Sequence, residues 1–185
     1  MLIDNTNHIE DNKSIKLKEV VSIPVPLSKS MQGKYFVGQT GSLFVCDEKL
    51  AWAGLVNPCN SDVNLYANVF TISNFSDEYL TAELWLNTDF PVNANKSQKI
   101  SPTNTALFPL PQNEVDIKYV KSTTILPQEG VNVYERIIPP KTTLVSEEDS
   151  KFIEPPGGNF TLIIKSSSPE VSKVIVAFGW WEKPI

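Results

Sequence analysis

The chain is short of the residues that commonly build catalytic and metal sites, with one histidine, two cysteines and two methionines in 185 residues. Its single imidazole, His8, lies in a polar N-terminal stretch. A hydrolytic triad needs a base held against its nucleophile, so no catalytic role is expected of His8, and the chain reads as a non-enzyme. Two thiols, Cys46 and Cys59, are too few to close a zinc site. They are expected to be inert and buried, with a disulfide across a hairpin as the alternative in an oxidising compartment. Long apolar runs are missing too. The longest, Val174 to Phe178, falls far short of the roughly 20 residues of a membrane-spanning helix. Positive charge is also sparse: 16 Lys and Arg stand against 21 Asp and Glu, for a net charge of −5. No basic cluster exceeds the scattered Lys13, Lys16 and Lys18. Binding a phosphate backbone needs convergent cations, so nucleic acid is not an expected partner. Residues 1–14 lack the basic and apolar regions of a secretory signal, so synthesis in the cytoplasm is expected.

What is abundant is the vocabulary of strands and turns. Runs of Val, Ile, Tyr, Phe and Thr are cut apart by 14 prolines and 8 glycines, which reads as all-β. At 41% hydrophobic and 20% charged the composition is that of a folded protein. The length suits one domain. Residues 1–14 are read as a flexible polar arm and residues 15–185 as a single β-sandwich domain. Ile15, Leu17, Val20, Val21, Ile23, Val25 and Leu27 follow the arm as an extended segment. Pro24 and Pro26 remove two ladder donors, which places that segment at a sheet edge.

Alternation locates the strands. Residues 35–38, 42–46 and 50–56 read as short strands, the last in preference to a helix because Gly54 interrupts it. Residues 62–74 read as one long strand, with Val63, Leu65, Ala67 and Val69 on one face and Tyr66, Phe70 and Ile72 on the other. In residues 79–87, Leu80, Ala82, Leu84 and Leu86 oppose Thr81, Glu83 and Trp85. The short link from Phe75 to Glu78 suggests a hairpin between these two runs. Residues 88–114, with four prolines, read as a crossover or functional loop holding short strands near Ile100 and over 106–110. Residues 115–122, 131–138, 142–145, 160–165 and 171–181 complete the set, and Val174 to Phe178, apolar on both faces, belongs at the centre of a sheet. About nine or ten strands without a long helix imply a two-sheet antiparallel β-sandwich, jelly-roll-like in connectivity.

Candidate sites are few. Glu147, Glu148 and Asp149 form the densest acidic cluster, which reads as a solvated loop rather than a facing carboxylate pair. Asn57, Asn60, Asp62 and Asn64 carry oxygens that suit a hard cation, yet with one charge among them turn chemistry explains them better. No metal or cofactor is expected. Trp180 and Trp181 must point to opposite sides of a strand, so one fills the core and the other needs a cover. Packing under the N-terminal arm or a long loop is the first reading of the exposed indoles; otherwise Trp85 and Trp181 are the candidate contact residues, for a protein interface or for stacking on a sugar ring.

Five segments carry a resemblance: Phe36-Val37-Gly38-Gln39-Thr40, Ala51-Trp52 with Asn57-Pro58, Ala82-Glu83-Leu84-Trp85, Pro155-Pro156-Gly157-Gly158, and Phe178-Gly179-Trp180-Trp181-Glu182. Over residues 35–182 the chain resembles an uncharacterised family of Firmicute proteins, and no activity or site comes with that resemblance. More loosely, it is similar in architecture to jelly-roll subunits of phage particles and spore appendages. The expected function is that of a structural or surface protein that self-associates or docks onto a larger assembly, on a particle or spore surface. A carbohydrate-binding module is the alternative. The expected partners are copies of itself or another protein, or a glycan, with no membrane span.

Overall fold

The computed structural model describes residues 20–185. The expected arm 1–14, His8, and Ile15 and Leu17 of the expected edge segment lie outside the described residues.

The described residues fold as twelve strands and one short helix: α1 (Val25–Met31), β1 (Tyr35–Gln39), β2 (Leu43–Val45), β3 (Leu50–Val56), β4 (Val63–Asn74), β5 (Leu80–Leu86), β6 (Asn95–Lys96), β7 (Ile100–Pro102), β8 (Asp116–Thr123), β9 (Val131–Ile138), β10 (Thr143–Glu154), β11 (Asn159–Ser166) and β12 (Ser172–Pro184). The excess over nine or ten comes from β6 and β7, two and three residues long; β7 stands where a short strand near Ile100 was expected, and β6 is too short to show a period.

The pairing is nested. Strands β1, β3, β4 and β5 pair antiparallel with β12, β11, β10 and β9 respectively, as in one long hairpin wound into two sheets. The first sheet runs β10-β4-β12-β1-β7, with β2 also paired to β12, and the second runs β6-β8-β3-β11-β5-β9. That is the jelly-roll order, elaborated at its tip by β6, β7 and β8. Leu55, Leu65, Phe70, Ile72, Leu84, Phe160, Val176 and Trp180, from both sheets, fill the interior between them. β12 lies between β4 and β1, the central place expected of its doubly apolar run.

Three local expectations are corrected. Val25 and Leu27 belong to a helix rather than an edge strand: Pro24 is its N-cap and Pro26 stands in its first turn, where a missing N–H costs nothing. The 62–74 strand does not keep one phase. Asn68 is an extra residue in the β4 ladder with β12 and faces the bulge of β10 between Glu147 and Phe152, so Phe70 and Ile72 join Val63, Leu65 and Ala67 in the core while Val69 turns outward. Finally, β4 and β5 are not a hairpin but lie in different sheets. Asn74 turns the corner: its Nδ2 donates to Glu78 O (2.8 Å) and Pro139 O (3.1 Å), and its Oδ1 accepts from Ser76 N (2.9 Å).

Candidate functional site

The outer faces of the two sheets are treated differently. On the second sheet Leu50, Trp52, Val120 and Ile163 are buried, with Phe90, Ala94 and Trp85 packed over them. Trp52 Nε1 donates to Ile125 O at 3.1 Å, pinning a second loop there. Trp85 is half-buried in this cover, its Nε1 donating to Glu83 Oε2, and Glu83 also pairs with Lys165.

The first sheet keeps an open groove of about 490 Å³, floored by Ala177 and Gly179 of β12 and walled by Val37, Val69, Thr71 and Ser101. Such volumes fall in the range of about 300–1,000 Å³ that ligand pockets occupy. Gly179 is required here, since a Cβ would stand 2.6 Å from the Tyr35 hydroxyl and 2.8 Å from Val69 Cγ1. Tyr35 ends a directional chain. Trp181 Nε1 donates to Ser150 Oγ (2.7 Å), Ser150 Oγ to Asn68 Oδ1 (2.9 Å), and Asn68 Nδ2 to the Tyr35 hydroxyl (2.9 Å). Burial raises the Tyr35 pKa; the Asn68 hydrogen bond opposes this and the charge of Glu147 adds to it. The phenol is therefore neutral, and it lies buried against Gly179 of the groove floor.

Trp181 and Trp180 do point apart. Trp180 is fully buried in the core, whereas Trp181 lies on the outer face and is stacked on Tyr66 with ring centroids 3.6 Å apart. Lys29 of α1 covers it, its Nζ 4.4 Å from the ring centroid. At 7% exposure Trp181 has no open ring face.

A prong stands beside this face. Residues 104–113 hold Leu107, Phe108 and Leu110 outward, and Phe108 is 100% exposed. The expected short strand over 106–110 does not form; Asn104 Oδ1 instead accepts Ala106 N in a local turn. Both feet are clamped. Thr103 N donates to Tyr35 O at 3.0 Å, and Glu114 N and Val115 N donate to the buried carboxylate of Glu182 at 3.0 and 3.1 Å. Leu107 and Pro111 close over Gly33, whose φ of +71° ends α1 and whose missing Cβ leaves them room. Leu27 and Met31 of α1 are exposed too, extending the apolar surface.

The remaining sequence candidates do not converge. Glu148 is buried and accepts from the Tyr134 hydroxyl (2.6 Å) and Ser146 Oγ (2.6 Å), while Asp149 faces solvent, so Glu147 pairs in β10 and the other two acids belong to its bulge rather than to a loop. Asn57 spends its side chain on Val63 O, Glu154 O and Ser61 Oγ, as a turn former does. Cys46 and Cys59 are free, Cys59 exposed rather than buried. The seven-residue β3 runs between them, which puts them roughly 20 Å apart and rules out the alternative of a disulfide across a hairpin. Among the described residues no three His, Cys, Asp or Glu side chains gather as a metal site, and no helix is long and apolar enough to cross a membrane. Sequence reasoning missed the prong, whose signal was an uncharged apolar run framed by Pro109 and Pro111.

Comparison with curated proteins and with solved structures returns no match. A family model matches residues 6–185, nearly the whole chain, and the protein thus belongs to a family of unknown function (DUF6143).

Proposed function

We propose that the chain is a non-enzymatic structural protein that docks, through the Phe108 prong and the adjoining face of the first sheet, onto copies of itself or another protein of a larger assembly. The observation that carries this is Phe108, fully exposed on a loop clamped at both ends. Leaving a phenylalanine in water forgoes about 1.5–3 kcal/mol relative to burying it, and a rigid aromatic already in place loses little entropy on binding. Edge addition is the less favoured route. β6 and β7 are very short, β9 shifts register between Leu84 and Trp85 of its partner, and β10 is broken by its bulge, so each sheet edge is blunted. Phage- or spore-like particles are the assemblies that the jelly-roll architecture suggests, by likeness of architecture alone. A glycan-stacking reading retains Trp85 only, since Tyr66 and Lys29 take the faces of Trp181.

The test is a photo-crosslinking residue, p-benzoylphenylalanine, in place of Phe108 in cells that make the protein. A discrete covalent adduct is expected on illumination. An absence of adducts, with the variant folded, overturns the reading.

A further inference from the structure

We infer that the partner of the prong is a second copy of this chain, and that Phe108 of one copy seats in the Val37–Val69–Ala177 groove of another. The inference rests on the docking reading above and adds the identity of the partner.

Three observations support it. The first is charge. Copies that each carry −5 repel one another, so a contact between them needs neutral or opposite surfaces. Residues 104–113 contain no Asp, Glu, Lys or Arg, and the one charged residue lining the groove, Lys99, is positive. The prong therefore meets the groove without like-charge cost. The second is complementarity. The groove is apolar along Val37, Val69, Ala177 and Gly179, and the prong offers Phe108 flanked by Leu107 and Leu110. The third is position. β7 supplies Ser101 to the groove wall and passes at Thr103 into the prong, so knob and hole flank the same edge of the first sheet. Phe108, fully exposed, does not fill the groove of its own chain. A two-fold axis beside β7 then lays each prong across the other copy's groove, a closed and self-complementary contact.

The test uses the full chain with p-benzoylphenylalanine at position 108, illuminated in solution and in cells, and the attachment sites read by mass spectrometry. The expected product is a covalent dimer linked at Val37, Val69 or Ala177, and its yield falls about tenfold when Val37→Glu puts a charge in the groove. Should Val37→Glu unfold, Ser101→Glu on the exposed wall makes the same test. A dimer linked elsewhere, an adduct with a different protein only, or a yield unchanged by both charges overturns the inference while leaving the docking reading in place. Absence of any adduct overturns both.

Discussion

Two buried carboxylates, Glu182 and Glu154, differ in how many donors meet them. Glu182 receives Glu114 N, Val115 N and Trp180 Nε1, and although burial still raises its pKa, these bonds hold one foot of the prong to β12. Glu154 is buried at the corner where Asn57 binds its backbone oxygen, and Asn87 only partly offsets the burial, which pushes its pKa up from 4.5 to about 7. Below pH about 4.5 this acid is protonated in the folded and unfolded chain alike. Between there and about 7 the unfolded chain ionises while the folded one keeps its proton, so stability falls as pH rises and levels off above. Glu154→Gln removes that slope. Thermal unfolding at pH 4, 5.5 and 7.5 is expected to show the variant gaining on the wild type with each step; a constant difference would contradict the assignment.

At the scale of elements, bulges decide the outer face. In β10 consecutive residues Asp149 and Ser150 hold φ of 50° and 59°, the left-handed region that costs non-glycine residues about 1–2 kcal/mol. What the bulge secures is Ser150, bonded to both Trp181 and Asn68. Asp149→Gly is expected to leave stability unchanged or raise it by up to about 1 kcal/mol, since the Asp149–Lys151 pair is exposed. Ser150→Gly gives the same relief yet loses both hydrogen bonds, for a net cost of about 1 kcal/mol. Denaturant midpoints of the two variants check this, and equal shifts would mean that the chain of bonds to Tyr35 contributes nothing.

The same bulges mark where sequence reading works. β5 was legible nearly to the residue, because Leu80, Ala82 and Leu84 alternate inward with no residue inserted among them, and β9 was legible in extent although Val133 is an extra residue in its ladder with β5. β4 was legible in extent and not in phase, since one extra residue at Asn68 reverses every side chain after it without changing composition. Pro24 and Pro26 are equally at home at a sheet edge and in a first helical turn, and Gly33 as the helix stop was the overlooked sign. The corner at Asn74 depends on acceptors from residue 139, too distant in sequence for a local pattern to reveal. Of the site, the divergence of Trp180 and Trp181 followed from the pleat alone, whereas the cover over Trp181 comes from Lys29 and Tyr66, which only the fold brings together.

For the whole molecule, the two sheets share one interior and differ outside. The second sheet carries a cover of Phe90, Ala94 and the loop at Ile125 over Trp52, Val120 and Ile163, while Val131, Val133 and Ile137 on its β9 edge are exposed. The first keeps a groove and, beside it, the neutral prong. Blunted edges disfavour strand-to-strand pairing, which leaves the prong and groove as the surfaces on which the proposed contact rests. Sedimentation equilibrium of the wild type and of Phe108→Ser over a wide concentration range tests this most directly. The wild type is expected to move from the 20.6 kDa monomer to twice that mass as concentration rises, and Phe108→Ser to stay monomeric. A wild type that remains monomeric throughout, or a variant that associates equally well, would contradict it.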